Sequence, residues 1–438
     1  MAEKKLEAPG AIDQTAAGQV RTSLAREDVG VSGPERETLR RLAGRVAAIA
    51  ALHVMAEKRG LWRRHNMLSR TRPLVYCDPE NGWNEVITPS DLTCEHKLAR
   101  AWEMRLRKEI FYGERMGDDK PVEPVFEIGY TTAPDDWGMV EEYRKTQESG
   151  SYVWDPPLKD YAKDLPRLHS PAVEIDWETT RASLALAEGI FGGILTVRLK
   201  GTWWWSMGIT YPAARFRGLE TMFYDFVDHP DELKELFSRI SRGYLDKLDW
   251  LEACGLLSPN WDGTYVGSGG LGYTDELPSA DFAGRVRCAD MWGFTESQET
   301  VNISPEMYEE FIFPFEKPIM ERFGLTCYGC CEPVDSRWHV VSRHGNLRRV
   351  SCSPWANVER MAANLGNRYI YSMKLNPASL AVPRIDEQAI RAGLRRDLEI
   401  TRGCVVEVIM KDNHTIGKNP RNPEAWCRIA REEAERIG

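Results

Sequence analysis

LTCYGCCEPVDSRWHVVSRHGNLRRVSCSPW, residues 325–355, joins two strand-like runs, LTCYGC and LRRVSCS, through a segment of helical character. Strands that alternate with helices build a parallel sheet. The alternation continues in both directions. Upstream lie PLVYCDP (73–79), EPVFEIGY (123–130), GILTVRLKG (193–201) and VRCADMWGF (286–294); downstream lie RYIYSMK (368–374) and CVVEVIMKD (404–412). Between them run amphipathic stretches such as LTCEHKLARAWEMRLRKEIFYG, SPEMYEEFIFPFEKPIMERFG and the closing PEAWCRIAREEAERI. Roughly eight strand-like runs, with one more plausible at PNWDGTYVG (259–267), predict an α/β fold of the closed (β/α)8 TIM-barrel type. An open doubly wound sheet is the alternative.

Before the barrel, residues 1–33 have no steady apolar period and are read as an N-terminal arm. Residues 34–70 form a helical extension, its helix expected to end near Arg59 with Gly60 as its C-cap. Residues 71–438 make up the barrel. A net charge of −9 with no basic stripe excludes a protein that lives on nucleic-acid phosphates. The longest apolar runs, such as AAIAAL (47–52), are far shorter than the roughly 20 residues that span a bilayer, so no membrane is expected. The ten cysteines follow an opening, MAEKKLEAPG, without an apolar signal stretch, and the expected compartment is reducing cytoplasm.

Active sites of such barrels collect at the C-terminal ends of the strands. There the chain offers Asp78 after the first strand and Trp203, Trp204 and Trp205 after the third. Glu296 and Glu299 follow MWGF, Lys374 and Asn376 follow YIYS, and His414 follows the last strand. The densest group is Cys330, Cys331 and Glu332, whose soft and borderline donors suit a metal or a reactive thiol. Adjacent side chains on an extended strand face opposite ways, so one cysteine of the pair is expected at the mouth, and Cys327 is expected to be structural. Cys77, Cys94, Cys254, Cys288, Cys404 and Cys427 are expected to be packed thiols. His339 and His344 are read as surface residues. The tryptophans suit a flat aromatic or a quaternary ammonium ligand, and a plug of the barrel equally. GSGGLG (267–272) lacks a phosphate-loop ending and is read as a flexible lid.

The order of SPEMYEEFIFPF, the strand and Gly-Cys turn at 325–330, KLNPASL (374–380) and VIMKDNHTIGKNPRNPEAW (408–426), together with FVDHPDELKEL (226–236), resembles the uroporphyrinogen decarboxylase superfamily over roughly residues 190–430. Decarboxylases of that superfamily carry an arginine motif on the first strand, where this chain reads RPLVYCDPENGW. The resemblance therefore turns to the zinc-dependent, corrinoid-linked methyltransferases. Their His-x-Cys zinc pair falls on Tyr328-Gly329-Cys330, so Cys330 matches and Tyr328 replaces the histidine. His414 stands near their later thiolate. The resemblance implies zinc held by Cys330 and His414 with Glu332 or Cys331, leaving a fourth position open as in catalytic zinc sites. It also implies proton transfer by Glu296 or Glu299, and a substrate pocket shaped by Trp203, Trp204, Trp205, Tyr328, Lys374 and Asn376. The implied donor is a small methylated molecule, such as a methoxylated aromatic or a methylamine. The implied acceptor is a thiol or a partner corrinoid protein that brings cobalamin in trans, and a homodimer is compatible with the reading. Two alternatives are a metal-free decarboxylase or other lyase of a small acid, using Asp78, and a non-catalytic ligand-binding barrel.

Overall fold

The computed structural model describes residues 24–145 and 152–438. Most of the predicted arm, residues 1–23, lies outside the described residues. Among the described residues there are ten strands: β1 (Leu74–Cys77), β2 (Val125–Ile128), β3 (Glu142–Lys145), β4 (Tyr152–Asp155), β5 (Thr196–Leu199), β6 (Trp292–Thr295), β7 (Leu325–Tyr328), β8 (Leu347–Cys352), β9 (Ile370–Lys374) and β10 (Val405–Met410). Six form a parallel sheet in the order β1-β10-β9-β8-β7-β6, β2 and β5 form a parallel pair, and β3 and β4 an antiparallel one.

Strands β6 to β10 lie side by side in chain order, and β1 docks in parallel on the far edge of β10, Leu74 opposite Glu407 and Cys77 opposite Met410. A doubly wound sheet reverses direction at its middle. This one does not, so the alternative of a doubly wound sheet falls away. Among the described residues the ladders run through the six-strand arc and the β2–β5 pair without joining into one ring. The two ends of the arc are satisfied by side chains instead, because an unpaired strand edge leaves its backbone groups to be met elsewhere. At β1 the Val75 N–H donates to Asp119 Oδ2 at 2.8 Å and the Cys77 N–H to Asp118 Oδ2 at 3.2 Å. At β6 the Asn260 amide mimics a strand, accepting from the Trp292 N–H and donating to its carbonyl, both at 2.9 Å.

The single N-terminal helix expected to end near Arg59 is two helices, Gly33–Ala50 and His53–Asn66. The break falls at Leu52, which is extended, and Gly60 lies inside the second helix. Ser32 and Glu35 form a capping box that starts the first. The second helix delivers His65 and Asn66 into the interior, where they meet charged side chains from the sheet. His65 Nε2 lies 3.1 Å from Glu407 Oε2, Arg349 Nε lies 3.0 Å from Glu407 Oε1, and Arg349 Nη2 donates to Asn66 Oδ1 at 2.7 Å. All four are buried.

This polar layer anchors the segment read as a lid. Asn66 Nδ2 donates to the carbonyls of Leu271 and Tyr273 at 2.7 Å each. Residues 266–274 are buried, so the lid reading is corrected: the glycine-rich segment threads against the inner side of the sheet. Glycine is required by close approach. A Cβ on Gly269, whose φ is +142°, would stand 2.6 Å from the Ile409 Cγ2. The extra strand expected at 259–267 is likewise absent, with one bridge, Tyr265 to Leu271, in its place. No described helix is long and apolar enough to cross a membrane.

Candidate functional site

The thiol turn takes its geometry from one glycine. Along β7, Leu325 and Cys327 pack into the inner apolar cluster with Trp292 and Phe294, while Tyr328 points to the helix layer. Gly329 then adopts φ +90° and breaks the alternation, which returns Cys330 to the inner side with Cys327. Cys330 is buried and Cys331 is exposed beside it, their Sγ atoms 3.7 Å apart. The buried glycine-rich segment supplies Ser268, whose hydroxyl donates to Cys330 Sγ at 3.1 Å.

Two lysines from the ends of neighbouring strands complete this corner. Lys374, the last residue of β9, donates to Ser268 Oγ at 2.8 Å and stands 3.6 Å from Cys330 Sγ. Asp412 lies between the ammonium groups, 3.0 Å from Lys374 and 3.2 Å from Lys411. Burial opposes the Asp412 charge, but Lys411 and Lys374 outweigh it and hold the carboxyl down to about 2. Both lysines are held above the usual range, the neighbouring negative groups outweighing burial. Lys411 also lies 3.6 Å from Glu80 and over the rings of Trp205 and Tyr265, at 5.4 and 5.8 Å from their centroids. Burial pushes Glu80 up to about 7, partly offset by Lys411. Asp78 accepts from the Glu80 N–H at 3.0 Å and from Trp83 Nε1 at 2.8 Å, and burial raises it as well.

For Cys331 the hydrogen bond from Cys330 is the leading influence and favours the thiolate, with Lys374 and Lys411 adding to it against burial. The same bond and burial raise Cys330 well above the ordinary thiol range. The pair thus sets a buried sulfur beside an exposed one.

Behind the thiols lies an acid. Glu296 is buried at the end of β6, where it accepts from Ser206 Oγ and from the Gln298 N–H at 3.1 Å each. Burial, then the charges of Glu299, Glu332 and Cys330, push it well above the carboxylate range, which favours its protonated form. Glu299 is raised by burial too, and accepts from Thr210 Oγ1 at 2.8 Å. Neither glutamate caps the helix Pro305–Phe311, because Ser304 does so itself.

Asp78, Glu296, Glu299, Cys330, Cys331, Glu332, Lys374 and Trp205 are brought together at these strand ends, whereas Tyr328, Trp203, Trp204, Asn376 and His414 lie apart from them. Tyr328 lies elsewhere: it stacks on His344 in the helix layer at 5.1 Å and bonds Ser297 Oγ at 2.8 Å, on the face of β7 opposite Cys327. His344 is buried there, not on the surface, and burial drives it down to about 3. Asn376 is exposed and caps Pro377–Ser379. Trp203 donates to the Leu256 carbonyl and packs on Tyr130, and Trp204 packs on Phe323. Cys254 is exposed rather than packed and Cys404 is half-buried. Lys411, Ser268 and Tyr265 escaped sequence reading. The Lys-Asp-Asn run at a strand end was the available signal for Lys411.

The zinc set implied by resemblance is not assembled. Glu332 accepts from the N–H groups of Ser297 and Cys330 at 2.9 Å each, which ties each carboxylate oxygen to the turn. His414 is exposed and faces Asn81, with Nδ1 3.5 Å from its amide. Among the described residues no three His, Cys, Asp or Glu side chains are grouped to hold a metal. The charge nearest Cys330 is the Lys374 ammonium, and a lysine offers no lone pair while protonated. The donor set does not fit resident zinc.

No family profile matches the chain, and no curated protein matches it. Among solved structures, a methyltransferase from Methanosarcina mazei is similar over 67% of this chain and 76% of that one, with 11% identity and a TM-score of 0.41.

Proposed function

We propose that this chain is a methyltransferase whose reacting centre is the cluster at the ends of β1, β6, β7, β9 and β10. A small methylated molecule, a methoxylated aromatic or a methylamine, donates the methyl group. The acceptor is a thiol or a corrinoid protein that carries its cobalamin in trans. The motif order at residues 226–236, 304–315, 325–330 and 408–426 supports the class. Glu296 is the observation that carries the chemistry.

A methyl on oxygen or nitrogen transfers slowly because the departing heteroatom is strongly basic. A carboxyl kept protonated by burial supplies the missing proton as the bond breaks. Glu296 gives its proton to that heteroatom while the methyl passes to the acceptor, and Lys374 and Lys411 pair with an anionic group, such as a carboxylate, on a methoxylated aromatic donor. Trp205 and Tyr265 wall the Lys411 side. The Trp205 Nε1, the Tyr265 hydroxyl, the Thr295 hydroxyl and both polar atoms of the buried Asn413 amide have no hydrogen-bond partner among the described residues. Buried polar groups are rarely left unpaired, and a polar donor molecule would pair them.

A lyase acting on a small acid is the second reading, favoured by Asp78 lying raised within reach of Lys411 and Lys108. One assay separates the two. With cobalamin reduced to its Co(I) form and a panel of methoxylated aromatics and methylated amines, the wild type forms methylcobalamin. Glu296→Gln slows that rate by about 100-fold, the usual worth of a positioned acid. Carbon dioxide release from a small acid, without methylcobalamin, would move the assignment to the lyase.

A further inference from the structure

The proton and charge roles above leave the paired thiols unused. Cys331 is exposed at the rim, and Cys330 lies buried 3.7 Å away, sulfur to sulfur. The groups facing the pair are Lys374, Lys411 and Asp412 from β9 and β10, Ser268 from the glycine-rich segment and Glu296 from β6. Cationic side chains beside a partly exposed sulfur, with a second sulfur in contact, are the surroundings of redox-active cysteines.

We propose that Cys330 and Cys331 form a peroxide-responsive dithiol that closes to a vicinal disulfide and is reopened by a thiol reductant. The exposed Cys331 sulfur attacks a hydroperoxide; its S–O bond forms as the O–O bond breaks, giving a sulfenic acid and releasing water or an alcohol. The Cys330 sulfur then attacks the Cys331 sulfur, the S–O bond breaks, and water leaves with the Cys330 proton. The pair loses two electrons and two protons, and the peroxide gains them. Neighbouring Cα atoms lie about 3.8 Å apart, closer than the roughly 4.4–6.8 Å usual for a disulfide, so the closed form is strained and readily reduced. Cys330 Sγ accepts from Ser268 and lies 3.6 Å from Lys374, so its chemical state bears on the strand-end cluster.

The test needs no substrate, so it stands apart from the methyl-transfer reading. The full-length protein is treated with stoichiometric hydrogen peroxide, its remaining thiols are alkylated in denaturant, and the tryptic peptide 323–337 is fragmented. The expected result is a peptide carrying one alkyl group, on Cys327, and about 2 Da lighter than the same singly alkylated peptide with two free thiols; prior dithiothreitol gives the triply alkylated form. Cys331→Ser, at an exposed position, abolishes the fast oxidation while keeping the circular dichroism of the wild type. Cys330→Ser leaves a Cys331 sulfenic acid that dimedone traps. Oxidation that spares the pair, that links Cys327 instead, or that runs equally fast in Cys331→Ser would overturn the proposal.

Discussion

Glu80 shows how a single side chain is tuned by where the backbone leaves it. It stands in a left-handed conformation, φ +49°, just past β1, and its carboxyl is raised to about 7 by burial against the pull of Lys411. A carboxyl raised in the fold is harder to ionise there than in the unfolded chain, whose value is 4.5. Its contribution is therefore full below pH 4.5 and is lost as pH rises through 7. Asp412 runs the other way, its contribution lost only as pH falls from 3.8 toward 2. Melting temperature measured against pH should decline between pH 4.5 and 7, and Glu80→Gln should flatten that decline. A variant with the wild-type slope would show that another group titrates. At this scale the residue types were legible but their facing was not. Alternation along β7 turns Tyr328 to the helix layer, and which cysteine of the pair faces inward depends on the reversal at Gly329, which cannot be seen in a string of letters.

Among the elements, the glycine-rich segment 266–273 and the polar layer beneath it depend on each other. Arg349 on β8 and Glu407 on β10 are buried opposite charges, joined to His65 and Asn66 from the second N-terminal helix. Removing one partner of a buried pair leaves an uncompensated charge, so Arg349→Met should cost about 3–5 kcal/mol in denaturant unfolding. Replacing both, Arg349→Met with Glu407→Gln, should recover much of that loss. Equal losses in the single and double variants would mean that the layer is not a coupled unit. The strands were readable from their apolar runs and helix spacing. The segment at 267–272 was not, because glycines signal a loop equally when nothing approaches and when Cys327, Ile409 and Glu407 press against the backbone.

Over the whole molecule, a sheet that winds in one direction brings the ends of β1, β6, β7, β9 and β10, distant in sequence, to one corner. Asp119 ties the same architecture together, pairing with Arg72 before β1 at 2.7 Å and with Arg431 of the final helix, Arg421–Ile437, at 2.6 Å. The alternation of strands and helices carried the α/β class and the strand-end location of the site. It could not carry the charge balance there, since Lys411 becomes visible as a partner of Lys374 only once β9 and β10 are adjacent. The central claim is that the strand-end cluster works through Glu296, Lys374 and Lys411 and that its donor set holds no resident zinc. Its most direct test is a zinc titration of the purified, metal-stripped protein by calorimetry, with Cys330→Ala alongside. The account predicts no saturable site tighter than about 1 μM, the level of about −8 kcal/mol, and no difference between the two proteins. One zinc per chain bound far more tightly, and lost in Cys330→Ala, would contradict it.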